Sequence, residues 1–153
     1  GGGIDHQGSG TLVIVDSTFS DNNASSKGGG IHTFSGTLTV TNSTFSNNSA
    51  DWRGGGINQD GGTVTVTNST FSDNNANEGG GIYNYIGALT VTNSTISHNS
   101  AGWGGGLHTE VGTLTVTAPD FKTVTVPVFA KESVNRVGVF GRIALGLKSL
   151  LGT

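Results

Sequence analysis

The chain has 153 residues, with 33% hydrophobic residues and 27 glycines, which is enough apolar material for the core of one ordered domain. Charged residues make up only 11%, and the formal net charge of −3 gives a nucleic-acid partner no electrostatic support. The absence of cysteine excludes disulfides and thiolate metal sites.

The first element in chain order is a glycine motif that recurs along the chain. Three glycines and an aliphatic residue begin five successive units, which start 25–27 residues apart. The motif stands at Gly1–Ile4, Gly28–Ile31, Gly54–Ile57, Gly79–Ile82 and Gly104–Leu107. A repeat of this length, with short strand patterns between turns, is typical of a solenoid coil. The sequence therefore predicts an all-β parallel solenoid of about five coils of 25–27 residues.

A strand pattern follows each glycine motif after a variable turn. In the second unit, Leu38 and Val40 alternate with Thr37, Thr39 and Thr41. Successive side chains of a strand point to opposite faces, so we expect the aliphatic residues inside the coil and the threonines outside. Each unit contains three such strand segments separated by turns.

Two more positions recur within the unit, an aromatic or aliphatic residue and an asparagine three residues later. The first column is Phe19, Phe45, Phe71, Ile96 and Phe121, and the second is Asn22, Asn48, Asn74 and Asn99. We expect the rings to stack along the solenoid axis in the core. The amides can form a hydrogen-bonded ladder between coils.

The pairing of Gly-Gly-Gly-Ile with Phe-x-x-Asn resembles the repeat of chlamydial polymorphic outer-membrane proteins and of other secreted bacterial β-helix proteins. The resemblance covers roughly residues 1–121 and implies a right-handed parallel β-helix. It also implies an extracellular or cell-surface protein, often an adhesin, and it supplies no catalytic residue. From the absence of Met at position 1 we expect that the chain begins inside a longer precursor, which fits either removal of a signal peptide or a chain that was shortened artificially.

The repeats end near residue 121, and a second segment of different character covers residues 122–153. Residues 122–130 alternate like a strand in which Pro127 indicates an edge position. Residues 133–151 show helical spacing of their apolar side chains. We expect this strand and helix to cap the solenoid, to dock on another copy or to contact a membrane surface; no apolar run is long enough for a membrane span.

Charge is distributed unevenly between the two segments. Residues 1–120 contain nine acids and only two basic residues, whereas the tail is basic. This asymmetry favours head-to-tail self-association into a filament, in which the tail of one copy meets the first coil of the next. The expected assembly contacts are Gly1, Ile4, Arg136, Phe140, Arg142, Leu147 and Lys148.

Five aromatic residues flank the glycine motifs in variable turns, and they are candidates for glycan contact. They are Phe34, Trp52, Tyr83, Tyr85 and Trp103. Exposed rings are platforms for the apolar faces of sugars. The alternative is that these rings pack over the corners between coils.

Enzymatic chemistry has weak support in the sequence. Asp60 and Glu110 share a repeat position two coils apart, roughly 9–10 Å, with Tyr85 between them. We expect them to be solvated turn acids. His32 and His108 also share a repeat position, but three coils separate them, which is too far for one metal ion. The sequence predicts no catalytic, cofactor or metal site.

These observations favour a non-enzymatic structural solenoid at the cell surface or outside the cell, either self-assembling or adhesive. The alternatives are a glycan-binding module, a polysaccharide-acting enzyme and an ice-binding protein. The last alternative depends on the regular Thr-x-Thr pattern of the strands, which resembles that of insect antifreeze proteins. The expected partners are further copies of the chain and surface glycans, without nucleic acid or any cofactor.

Overall fold

The computed structural model describes residues 1–118 and the backbone of residues 124–128. Seventeen strands occur in this part of the chain, and it contains no helix. Phe121 and the predicted helix within residues 133–151 lie outside the described residues.

The strands are short and follow one another closely. In chain order they are β1 (Ile4–His6), β2 (Thr11–Val15), β3 (Thr18–Ser20), β4 (Asn23–Ala24), β5 (Ile31–Thr33), β6 (Thr37–Thr41), β7 (Thr44–Ser46), β8 (Ser49–Ala50), β9 (Ile57–Gln59), β10 (Gly62–Thr67), β11 (Thr70–Ser72), β12 (Asn75–Glu78), β13 (Ile82–Thr92), β14 (Thr95–Ser97), β15 (Ser100–Trp103), β16 (Leu107–Thr117) and β17 (Val124–Val128). All of them up to β16 belong to successive coils of one solenoid.

Each of the first three coils contains four strands, and in the fourth coil β13 replaces the first two. The fifth coil begins with β16, so the described chain makes about four full turns, slightly fewer than the five predicted. The prediction of three strand segments per coil was also incomplete. It missed the fourth strand (β4, β8, β12 and β15), because two to four residues are too few to show a period of two.

The coils stack into three sheets whose strands are parallel from coil to coil. The largest sheet has the order β1-β5-β9-β13-β10-β6-β2, and β16 pairs with β13. The other sheets are β3-β7-β11-β14 and β4-β8-β12-β15. We call β1, β5, β9 and the first halves of β13 and β16 the first face, and β2, β6, β10 and the second halves of β13 and β16 the second face.

The core lies inside the coils, as the alternation predicts. Leu38 and Val40 are fully buried, while Thr39 between them is only half-buried. The ring of Phe45 stacks on the rings of Phe19 and Phe71, at centroid distances of 4.7 and 4.6 Å. The predicted aromatic column is therefore confirmed from Phe19 to Ile96, which pairs in register with Phe71.

The predicted asparagine ladder is also present. Each side-chain amide donates to the amide oxygen of the next coil, at 2.9 Å for each step from Asn22 through Asn48 and Asn74 to Asn99. The same oxygens accept from backbone N–H groups, so the ladder satisfies polar groups of the buried corner.

The triple glycine forms a corner that leaves no room for side chains. Gly54 adopts a φ of 66°, which favours glycine over residues with a Cβ. A Cβ on Gly55 would collide with the carbonyl oxygen of Gly80 in the next coil. This close backbone approach explains why the motif recurs in every coil.

The final described strand departs from the solenoid pattern. β17 pairs antiparallel with β16, with Pro127 opposite Thr113. The predicted strand is confirmed at Val124–Val128, and within the described residues its only neighbour is β16, as expected for a strand containing proline.

Candidate functional site

The outer side of the first face carries side chains that differ from coil to coil. One position after the buried aliphatic residue forms a column along the axis. Its members, in register from the first coil to the fifth, are Asp5, His32, Asn58, Tyr83 and His108. Asn58 and Tyr83 are fully buried although the strand turns them away from the core, so other side chains must cover this column.

Two further columns supply that cover. The residue before each glycine motif gives a corner column of Lys27, Arg53, Glu78 and Trp103. Two residues beyond the central column, successive coils place Phe34, Asp60, Tyr85 and Glu110. The three columns together form a strip that runs parallel to the solenoid axis.

An open depression of about 470 Å³ lies between the two flanking columns. We call it the outer pocket, and it is lined by Lys27, Phe34, Arg53, Asp60 and Tyr85. Its wall therefore combines two aromatic rings, two basic side chains and a carboxylate. Aromatic rings beside polar groups can contact a ligand that has both apolar and hydroxyl-bearing faces.

Asp60 is the most heavily bonded side chain of the outer pocket. Lys27 Nζ donates to both of its carboxylate oxygens at 2.9 Å, and Asn58 Nδ2 donates to Oδ1 at 3.0 Å. Burial alone would raise the pKa of Asp60, but the hydrogen bonds from Asn58, Lys27 and His32 outweigh it and lower the pKa below its usual value. Asp60 is therefore ionised at neutral pH.

His32 joins two carboxylates from neighbouring coils. Its Nδ1 lies 2.8 Å from Asp5 Oδ1, and its Nε2 lies 3.0 Å from Asp60 Oδ2. Both ring nitrogens can donate at once only in the imidazolium form. The pKa of Asp5 is lowered, first by its hydrogen bond from Gln7 and then by His32.

Arg53 occupies the centre of the strip and packs against three aromatic rings. Its guanidinium carbon lies 4.2 Å from the ring centroid of Trp52, 4.6 Å from that of Tyr83 and 5.5 Å from that of Tyr85. Its Nε donates to Glu78 Oε2 at 2.8 Å. Cation–π contacts and an ion pair therefore hold one arginine against residues of two neighbouring coils.

The end of the strip in the fourth and fifth coils is built around Tyr83. Its hydroxyl donates to Glu110, and its ring stacks on His108 at a centroid distance of 5.0 Å. Burial and the neighbouring carboxylate raise the pKa of Tyr83 far above its usual value, so the hydroxyl keeps its proton. Burial lowers the pKa of His108 and favours its neutral form.

The structure separates the five predicted glycan-contact residues into two groups. Tyr83 is 0% exposed beneath the Arg53 side chain, so its ring follows the packing alternative and is not available as a glycan contact. Phe34, Trp52 and Trp103 are 57%, 43% and 50% exposed, and Tyr85 is half-buried. Only Phe34 and Tyr85 line the outer pocket.

The structure also shows the surroundings of the two acids that share a repeat position, Asp60 and Glu110. Asp60 was expected to be a solvated turn acid, but its side chain is only 13% exposed because Lys27 and His32 bind it. Glu110 is more exposed, yet it too accepts a hydrogen bond from Tyr83.

Among the predicted assembly contacts, Gly1 and Ile4 lie in the first coil. The other predicted assembly contacts, Arg136, Phe140, Arg142, Leu147 and Lys148, lie outside the described residues, so filament formation stays a prediction.

Sequence reasoning missed Lys27 and Arg53 as site residues. A signal was available, since they are the only basic residues before residue 121 and both directly precede a glycine motif. His32 and His108 share a register position, as predicted.

Among the described residues no group of three or more acidic or histidine side chains could hold a metal ion. Nor does this part of the chain form a helix that could cross a membrane.

Comparison with known proteins gives one result. The family described as "Right handed beta helix region" matches residues 1–120, which contain the complete coils that the structure describes and all three columns of the strip. No curated protein and no solved structure matches the chain. The family match covers most of the sequence, and the parallel coils agree with it. The chain belongs to the right-handed β-helix family.

Proposed function

We propose that this protein is a non-enzymatic adhesive solenoid that binds glycans outside the cell through the outer pocket. The observation that carries the proposal is the placement of Phe34 and Tyr85 in the same pocket as Lys27, Arg53 and Asp60. Aromatic faces pack against the C–H faces of sugar rings, while charged side chains exchange hydrogen bonds with sugar hydroxyls.

The scaffold suits adhesion because it is a rigid repeat. Backbone pairing between coils, the stacked rings and the asparagine ladder fix the strip along the axis. Tyr85 lies within β13, and Phe34 and Asp60 directly follow β5 and β9, so the pocket needs little ordering of the backbone when a ligand binds. The β-helix fold is consistent with a structural or adhesive scaffold, and the proposal does not require self-assembly.

The state of the carboxylates supports binding over glycoside hydrolysis. A hydrolase needs one carboxyl group whose raised pKa lets it act as general acid. The pKa of Asp60 is lowered instead, and its oxygens already accept four hydrogen bonds from Lys27, Asn58 and His32. Glu110, the other acid of the column, accepts from Tyr83.

The extracellular location is part of the proposal. It is supported by the resemblance of the Gly-Gly-Gly-Ile and Phe-x-x-Asn motifs to repeats of chlamydial polymorphic outer-membrane proteins.

A glycan array tests the proposal directly. The parent protein should bind at least one glycan class, and Phe34→Ala should reduce that signal at least tenfold without changing the melting temperature. Val13→Ala is the matched control, because Val13 is 58% exposed on the second face, away from the outer pocket. A parent protein that binds no glycan, or equal losses in the two variants, would contradict the proposal.

A further inference from the structure

We infer that the ligand of the outer pocket is an uncharged, extended oligosaccharide that lies parallel to the solenoid axis. This inference rests on the proposed function and specifies its ligand. Two independent features of the strip carry it, the pairing of its charges and the register of its aromatic rings.

The basic side chains of the outer pocket already have carboxylate partners. Lys27 Nζ bonds both oxygens of Asp60 at 2.9 Å. Arg53 bonds Glu78 at 2.8 Å and lies 3.6 Å from Glu110. An acidic sugar would have to displace one of these carboxylates, and that carboxylate would then lose its partner in a partly buried site. The pairing therefore disfavours uronic acids and sulfated sugars.

The overall charge of the strip acts in the same direction. It contains four carboxylates, those of Asp5, Asp60, Glu78 and Glu110, against the permanent cations Lys27 and Arg53. The net charge is −2, or −1 when His32 is protonated. A negative strip repels a polyanion along its whole length, whereas an uncharged chain meets no such barrier.

The register of the rings sets the direction of the ligand. Phe34, Asp60 and Tyr85 occupy equivalent positions in three successive coils. Coils are spaced by about 4.8 Å, so the two rings lie roughly 9–10 Å apart along the axis. A pyranose chain in which alternate sugars present the same face advances by a similar distance every two sugars. The first and third sugars can then stack on Phe34 and Tyr85.

The polar groups suit the sugar between these two. Lys27 Nζ has three hydrogens and directs two bonds to Asp60, which leaves one donor for a sugar hydroxyl. Asp60 lies at the middle position of the column and its oxygens already accept four hydrogen bonds, so the remaining Lys27 donor is the polar contact for that sugar. The smallest ligand that uses the whole pocket is therefore a trisaccharide.

Calorimetric titration with two panels of hexasaccharides tests the charge argument. The uncharged panel contains hexamers of glucose, mannose and N-acetylglucosamine in β-1,4 linkage, and the acidic panel contains hexamers of galacturonic and mannuronic acid. We expect binding to an uncharged hexamer at least tenfold tighter than to any acidic one. Equal or tighter binding of an acidic hexamer would overturn the inference and leave the proposed function standing. If no hexamer binds and the glycan array is also blank, the proposed function itself fails.

The chain-length series tests the axial orientation. For the hexamer that binds, the trisaccharide should bind at least tenfold more tightly than the disaccharide, because only the trisaccharide reaches both rings. Phe34→Ala should abolish that gain and leave the affinity for the disaccharide within about threefold. An unchanged gain in Phe34→Ala would contradict the axial placement.

Asp60→Asn provides a change of specificity that a purely structural role would not produce. It removes the negative partner of Lys27, so affinity for the acidic hexamers should rise at least tenfold. Asp73→Asn is the matched control with the same change of charge; Asp73 is exposed in another turn, where Asn47 holds the same position in the preceding coil. Glu78→Gln, which removes the carboxylate that Arg53 Nε bonds, should produce the same rise if Asp60→Asn fails to fold. No rise in a folded variant of either kind would overturn the charge argument.

Discussion

At the scale of single residues, protonation of His108 opposes folding. It stacks on the buried ring of Tyr83, and burial lowers its pKa below the ordinary value of 6.5. The folded chain then binds fewer protons than the unfolded chain. The contribution of His108 to stability is complete above about pH 6.5 and is lost as the pH falls through its folded-state pKa.

We therefore expect the free energy of unfolding, measured in urea, to fall as the pH decreases from 7 toward 5. His108→Phe keeps the ring stacking and should remove that part of the pH dependence. His98→Asn is the control, since His98 is exposed in a turn where Asn47 occurs two coils earlier. Equal pH profiles for the parent and His108→Phe would contradict this prediction.

A further decrease in the free energy of unfolding is expected below about pH 4 from Asp60, whose pKa is lowered by its hydrogen bonds.

For single residues of a repeat, the sequence predicts the position of a side chain only where that position recurs in every coil. The positions of Leu38, Phe45 and Asn48 follow from the repeat register alone, because equivalent residues stack in every coil. The burial of Tyr83 does not follow from it. Its cover comes from Arg53, which lies in another coil and in another column, and such a contact depends on the direction of a long, non-repeated side chain.

At the scale of elements, the aromatic column distinguishes the inside of a coil from its outside. Phe71 is fully buried between Phe45 and the β14 residue Ile96. Phe71→Ala should cost about 3–5 kcal/mol in denaturant unfolding, because the surrounding sheets cannot collapse onto the cavity. Thr39→Ser on the outer side of β6 should change stability by only about 0.5 kcal/mol.

Phe19→Ala is the matched control for the same column. Phe19 stacks on Phe45 from one side, and it is only half-buried. Its replacement should therefore cost clearly less than that of Phe71. Similar losses at both positions would mean that stacking along the axis, and not burial, determines the cost.

The strands themselves were predictable where they are long enough to alternate. The pattern of β6 indicates its inward and outward sides directly, and β10 repeats it. The two-residue strands β4 and β8 have no such pattern, and their existence depends on pairing with the neighbouring coil. The antiparallel pairing of β17 also depends on its partner, β16, and no local signal specifies the direction of a strand.

At the scale of the whole molecule, the backbone and core of the coils behave as interchangeable layers. Removal of residues 54–78 deletes one complete coil and joins Arg53 to Gly79, so every column keeps its register. We expect this variant to keep the circular dichroism spectrum of the parent and to unfold cooperatively. Its stability should be lower, because one interface between coils is lost and because Lys27 and Arg53 lose their partners Asp60 and Glu78.

A deletion of half a coil is the appropriate control. Removal of residues 54–65 places the Gly79 corner out of register with every neighbour and opposes core positions to outer ones. This variant should fail to fold, as judged by circular dichroism and by binding of a hydrophobic dye. Equal loss of structure in both variants would show that the coils are not interchangeable layers.

The polar strip also bears on how the chain avoids errors while it folds. The stacked rings of Phe45 and Phe71 would be satisfied almost equally well if one coil were skipped, so the core alone tolerates mispaired chains. Lys27 and Asp60 have no such equivalents, because Tyr85 takes the position of Asp60 when the coil of Asp60 is skipped, and Lys27 then meets no carboxylate there. A chain that skips a coil leaves these charges without partners in a partly buried place, which costs several kcal/mol. The irregular side chains of the strip therefore disfavour incorrect pairing between coils during folding.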